Sequence, residues 1–323
     1  MRWITYYKLA DEMKKIVLLI SVAWAAGSVT TACAQQGSRP APAAVADIPE
    51  EASPVFIPNL PKELDFAGEK VPLQYAEVRE ALEREMTVTM FMHSRTLRTL
   101  RLTTRYFPVI EPILKKYGIP EDFKYLCMAE SGLDPNTVSP AGASGLWQIM
   151  PSAAKDYGVE TGRNVDLRFN VEIATEAACK YLRNAYERYG SWTLAAASYN
   201  AGLAGVSRRM GIQDVKSYYD LFLPEETMRY VYRILSFKLL TEHPQKYGFY
   251  LRKRDYLPAF ENYRQVTVSG QDIDWSAFAA EHGTNYKVLR ILNPWIRSYE
   301  YANKGGTTYT VTVPTEGFRE NGK

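Results

Sequence analysis

From about Leu64 to about residue 250, apolar residues recur at helical spacing and strand-like alternation is absent. That spacing gathers apolar groups on one helix face and predicts a mostly α domain. "YAEVREALEREMTVTMFM" and "RTLRLTTRYFPVIEPILKKYG" mix apolar and charged residues in this way. In "NVEIATEAACKYLRNAYERYG" one face collects Ala174, Ala177, Ala178, Tyr181, Leu182, Ala185 and Tyr189, and Gly190 follows as a terminating residue. The tail changes period. "RQVTVSG" and "TTYTVTVP" alternate with β-branched residues and predict strands. Between them, "DWSAFAAEHG" and "NYKVLRILN" predict two short helices, stopped by Gly283 and by Asn293-Pro294. No internal repeat interrupts this order.

The start of the chain reads differently. From Met13, "MKKIVLLISVAWAAGSVTTACAQQ" places a lysine pair before an apolar stretch and then small residues. That order is a secretory signal rather than a spanning helix. Residues 1–12 read as an upstream extension. Ala32-Cys33-Ala34 fits a cleavage site, while Thr-Thr-Ala-Cys resembles a lipobox that would make Cys33 a lipidated first residue. Lipidation is the favoured reading, although the lipobox lacks its upstream Leu. Residues 35–63, rich in Pro, Ala and Ser, read as an extended tether. The expected boundaries are thus 1–34 for the signal and its extension, 35–63 for the tether, 64–255 for the helical domain and 262–315 for the tail module.

Composition narrows the function classes. The net charge of +3 is too small to argue for nucleic acid, and no basic run is interleaved with aromatics. Three histidines and scattered cysteines give no metal-ligand spacing, and nothing calls for a cofactor. The 23 tyrosines suit carbohydrate faces as well as cores, and most are expected in the core. An exported chain permits a disulfide between Cys127 and Cys179. Cys127 lies on an apolar stripe, so two unpaired core thiols are the favoured reading.

That stripe carries the candidate chemistry. Pro120 reads as a first helical residue, with Glu121 and Asp122 at the positive end of the dipole. Phe123, Leu126, Cys127 and Glu130 then follow at i, i+3, i+4 and i+7, so the glutamate continues the apolar face. Gly132 supplies a left-handed helix end. A carboxylate on a buried face near a helix C-terminus has its pKa raised, which suits a general acid near neutral pH. A buried glutamate held by hydrogen bonds, with no chemical role, fits the helix pattern equally well. Small residues in "SPAGASGLW" let backbone approach closely, and Gln148 puts an amide where an apolar group would pack better. "WTLAAASYNAG" repeats the theme with Tyr199-Asn200. Two such intrusions predict a polar groove lined by both.

Three blocks, "ESGLDPNTVSPAGASGLWQIMPSAAKDYG", "AAASYNAG" and "EETMRYVYRI", resemble in this order the signatures of lytic transglycosylases with the goose-type-lysozyme fold. The resemblance spans about Leu64 to Tyr250 and is nearest to the membrane-bound kind that carries LysM repeats. It implies a mostly α, lysozyme-like (goose-type) catalytic domain. It also implies that Glu130 is the sole catalytic acid/base and that Ser131 and Ser139 lie beside it, with Ser139 the better candidate to orient the acid or contact substrate. By the same resemblance Gln148 binds sugar, Tyr199 and Asn200 face the acid, and Tyr230 is the late tyrosine near the carboxyl. Trp147 departs from the usual Met and is expected at the groove wall. Asp134, just before a proline, is expected to cap its own turn rather than act as a second acid.

The implied reaction explains a lone acid. Ordinary glycosidases need two carboxylates. In the transglycosylase reaction Glu130 would protonate the oxygen linking MurNAc to GlcNAc, with the acetamido group steadying the cationic centre. It would then take the proton of the sugar's own C6 hydroxyl, which closes on C1 to give 1,6-anhydro-MurNAc without water. A muramidase that uses water on the same bond is the near alternative, and an inactive glycan-binding wall protein the third.

Residues 262–314 resemble a LysM module, a small α+β (βααβ) unit, through "ILNPWI" and "YTVTVP". The opening "VTVSGQDIDWSAFAAEHGT" lacks the usual Gly-Asp-Thr-Leu, so glycan binding and a mere cap on the catalytic domain both stay open. The expected partners are peptidoglycan glycan strands and, through Cys33, a membrane. The expected location is the periplasm or cell envelope.

Overall fold

The computed structural model describes residues 56–270 and 272–320. Cys33, the expected signal and most of the expected tether lie outside the described residues. The chain is mostly helical, as its period predicted, but it does not turn helical at Leu64. A short antiparallel hairpin comes first, β1 (Asp65–Phe66) and β2 (Glu69–Lys70), and it buries Phe66. Leu60 is also buried in the main core, with Phe56 packed against it. Phe56 and Leu60 thus pack with the helical domain although they lie within the stretch read as tether.

Helices α1 (Ala76–Phe91) and α2 (His93–Lys116) follow. Then come α3 (Phe123–Ser131), α4 (Pro151–Asp156) and α5 (Val171–Tyr189). The domain closes with α6 (Trp192–Ala201), α7 (Leu203–Gln213) and α8 (Glu225–Glu242). α8 is the axis of the domain. It packs against α1, α3 and α6, and eleven of its residues, including Tyr230, Ile234 and Leu235, are buried. Buried Lys238 on α8 reaches Asp122 at 2.7 Å and Asp65 at 3.4 Å, while Asp122 also accepts from the Ala67 amide at 2.7 Å. One cation thus joins α8, the hairpin and the entry to α3. Cys127 and Cys179 are both buried and unbridged.

The tail forms β3 (Tyr263–Val268), β4 (Asp272–Asp274), α9 (Trp275–Glu281), α10 (Tyr286–Leu292), β5 (Glu300–Ala302) and β6 (Tyr309–Pro314). β3 pairs antiparallel with β6, from Tyr263 against Pro314 to Val268 against Tyr309. Beside this expected strand–helix–helix–strand order stands a second pair, β4 with β5, that the alternation did not reveal. Its strands are three residues each, too short to show a period. The small core of the tail gathers Ile273, Trp275, Leu289, Trp295, Val311 and Val313, and it includes Val165 and Phe169 of the helical domain.

Candidate functional site

α3 begins at Phe123, three residues later than Pro120 suggested. The Phe123 and Lys124 amides bond to the carbonyls of Pro120 and Glu121. Those i→i+3 bonds form a tight turn that leads into the helix instead of its first turn. Phe123, Leu126 and Cys127 are fully buried, and Glu130 ends their stripe half-buried. Gly132 closes the helix at φ +63, where a Cβ would lie 2.9 Å from the Thr99 hydroxyl. Glycine is required there both by conformation and by space.

Three other elements converge on this helix end. Tyr230 of α8, itself buried, donates its hydroxyl to the Glu130 carboxylate. Tyr199, at the end of α6, donates to the Trp147 carbonyl at 2.8 Å and rests edge-on against Tyr181. Its neighbour Asn200 is exposed and accepts from the Thr227 hydroxyl at 2.7 Å, which fastens the end of α6 to the start of α8. Gln148 follows Trp147 in an irregular loop held by the bridges Val138–Ser144 and Ser144–Ile149. It adopts φ +48, and its amide nitrogen donates to the carbonyls of Thr137 and Gly145 at 3.0 and 2.8 Å. That is a sparsely populated conformation for a residue with a side chain, and such strain clusters at functional sites.

Of the residues from these four elements, Tyr230 bonds to the Glu130 carboxylate and Tyr199 feels its charge, while Asn200 and Gln148 are held by Thr227 and by the carbonyls of Thr137 and Gly145. The two serines are placed differently. The Ser131 hydroxyl donates back to the Cys127 carbonyl, and Ser139 accepts from the Ala143 amide. Each is engaged in its own helix or loop, and neither bonds to Glu130. Trp147 corrects an expectation. It does not line a groove wall but is fully buried, its ring nitrogen donating to Thr175 at 2.8 Å. A large apolar ring with one donor finds core and an acceptor together on α5. Asp134 accepts from the Asn136 amide at 3.0 Å and from Arg98 at 3.1 Å, the local cap its sequence context suggested.

Burial pushes the Glu130 carboxyl up to about 7. The Tyr230 bond and the charge of Arg233 act the other way, and Glu226 adds to the rise. Burial first, and Glu130 next, push the Tyr199 and Tyr230 hydroxyls well above the usual phenol range. Both therefore remain donors. A carboxyl that is partly neutral at neutral pH and fixed by a donor can act as a general acid.

Behind it lies a charge network that motif reasoning missed. Arg233 pairs with Glu226 at 2.8 Å and reaches buried Glu85 at 3.6 Å, and Arg229 holds Glu85 at 2.5 Å. Two arginines one turn apart on an otherwise buried helix are the signal that points to it. Among the described residues, no cluster of His, Cys, Asp and Glu is arranged to hold a metal.

A family profile for the transglycosylase SLT domain matches residues 108–222. A second, for the soluble lytic transglycosylase C-terminal LysM-like domain, matches residues 264–317. The membrane-bound lytic murein transglycosylase D of Escherichia coli K12 is 29% identical over 198 residues, covering 59% of this chain and 43% of that one. The soluble lytic murein transglycosylase of the same strain is 30% identical over 154 residues, covering 42% of this chain and 23% of that one. The chain therefore spans less than half the length of either relative. The crystal structure of the 70 kDa soluble lytic transglycosylase of Escherichia coli superposes with a TM-score of 0.35 at 23% identity, over 46% of this chain and 27% of that one. Through its matches to the transglycosylase SLT domain and to the LysM-like C-terminal domain, the chain is similar to the lytic murein transglycosylases, membrane-bound and soluble.

Proposed function

We propose that this protein cleaves the β-1,4 bond between MurNAc and GlcNAc in peptidoglycan and forms 1,6-anhydro-MurNAc, with Glu130 as its single acid and base. The observation that carries this reading is Glu130 itself, a half-buried carboxyl raised to about 7 and fixed by the Tyr230 hydroxyl. Protonated, it donates to the glycosidic oxygen as the bond to C1 breaks. The MurNAc acetamido group steadies the cationic centre. Glu130, now charged, is held by Tyr230 and eased by Arg233 until it takes the C6 hydroxyl proton and that oxygen closes on C1. Atoms balance without water, and attack within one sugar has a high effective concentration.

A second carboxylate has no part in this scheme. Glu226, the acid that acts electrostatically on Glu130, is tied to Arg233, and Asp134 is tied to Arg98. Gln148, Tyr199 and Asn200 are assigned to the sugar, while Ser131 and Ser139 keep the loop and helix around them. The assigned place of work is the cell envelope, with Cys33, outside the described residues, as the site of a lipid anchor to the membrane. The LysM-like module is assigned to the same glycan.

The reading is tested by digesting purified sacculi with the wild-type chain and with Glu130→Gln, then weighing the muropeptides. Products resistant to borohydride and lighter by one water, absent with the variant, support it. Reducing MurNAc ends make the protein a muramidase. Equal product from both proteins removes Glu130 from the chemistry.

A further inference from the structure

We infer that the LysM-like module acts on the reaction from behind, holding the Gln148 loop in shape through Arg168, a positioning residue. This rests on the reading of that loop as a wall of the substrate groove. Arg168 lies in the turn Leu167–Phe169 and is only 8% exposed. Its guanidinium grips Asp166 as a fork, Nε to Oδ1 at 3.0 Å and Nη2 to Oδ2 at 2.7 Å. Nη1 donates to the carbonyls of Gly142 at 2.8 Å and Ile149 at 3.0 Å, which bracket the loop that contains Gln148. The main chain joins in. A Cβ on Gly145, at φ +79, would lie 1.9 Å from the Arg168 carbonyl oxygen. Side chain and backbone of one residue therefore seat the same loop.

The opposite side of this segment belongs to the module. The Asp166 amide donates to the Trp295 carbonyl at 3.0 Å, and the Arg297 amide to the Asn164 carbonyl at 2.8 Å. Val165 bridges to Ile296, and the Arg297 guanidinium stacks 4.0 Å from the centre of the Phe169 ring. Glu160 accepts from the hydroxyls of Tyr309 at 2.9 Å and Tyr301 at 3.1 Å. An exposed ion pair would fix little. A buried fork whose remaining nitrogen reaches two loop carbonyls fixes a geometry. The loop has need of it, since Gln148 holds a left-handed conformation that only its surroundings can impose.

The test uses the full chain with Arg168→Lys, which keeps the charge beside Asp166 but cannot bond both the carboxylate and the two carbonyls. KM for soluble glycan strands is expected to rise about tenfold while kcat stays within about twofold, because a misplaced wall weakens binding and leaves Glu130 intact. The pH limb of kcat/KM should not move. The amides of Ser144, Gly145 and Ile149, bonded within the loop, should exchange hydrogen about tenfold faster. Arg297→Met, which removes the guanidinium from the Phe169 ring and leaves Arg168 itself unchanged, should shift KM and exchange in the same direction by less. Unchanged KM and unchanged loop exchange in both variants would overturn the inference. Should Arg168→Lys not fold, Arg297→Met supplies both readouts. Should the wild-type chain release no product, the proposed function fails, and loop exchange alone decides the positioning role.

Discussion

Glu130 is held in a place that favours its neutral form, and that sets its pH behaviour. As the proposed acid it must be protonated, so kcat/KM should fall as pH rises through about 7. The Tyr230 bond lowers this value, so Tyr230→Phe should move the falling limb to higher pH and reduce kcat about tenfold through lost orientation. A limb that moves to lower pH, or not at all, would show that the tyrosine does not hold the charge. Stability has the linked sign. The folded value lies above the unfolded one, so the stabilisation from Glu130 is complete below about 4.5 and is lost as pH rises through about 7. Glu130→Gln should therefore raise Tm more at pH 8 than at pH 4, measured by thermal unfolding. At this scale, helical spacing was enough to put Glu130 on an apolar face. It could not show the tyrosine that meets it, because that contact spans 100 positions. Nor could it show that Trp147 turns inward, which depends on Thr175 offering an acceptor from another helix.

Among the elements, α6 depends on a residue far from it in sequence. The Glu69 carboxylate, from the hairpin, accepts from the amides of Trp192 and Thr193 and from the hydroxyls of Ser191 and Thr193. These amides are orphan donors of the first turn, and an anion there also suits the dipole. Glu69→Ala should cost about 1–2 kcal/mol, seen as a lower midpoint in urea, with α6 and its Tyr199-Asn200 end the first to loosen in hydrogen exchange. An unchanged midpoint would reduce the cap to a surface contact. Gly145→Ala makes a sterner case. Its Cβ would meet main chain, which cannot swing aside, so loss of more than about 3 kcal/mol is expected. Long helices were legible because their period repeats many times. The two-residue strands of the hairpin, the β4–β5 pair and the turn before α3 were not, because so few residues carry no period and their bonds are set by distant partners.

On the scale of the whole molecule, the tail is built into the helical domain. Val165 and Phe169 complete its small core, and Asn164 and Asp166 exchange backbone bonds with it. The described chain should melt in one calorimetric transition, and truncation after Pro258 should lower its Tm by exposing those apolar side chains. Two independent transitions would mean a module that merely rides on the domain. The strand–helix–helix–strand order of the tail was readable from its alternation and its stops. Its attachment was not, because "NVDLRF" looks like an ordinary loop until Trp295 and Ile296 are laid against it.

The most direct measurement is digestion of sacculi in water enriched in oxygen-18, followed by mass spectrometry of the released MurNAc ends. If Glu130 directs the sugar's own C6 hydroxyl onto C1, the products carry no label and fall below detection with Glu130→Gln. Labelled reducing ends from the wild-type chain, or unlabelled anhydro products made equally well by the variant, would contradict a lone acid that works without water.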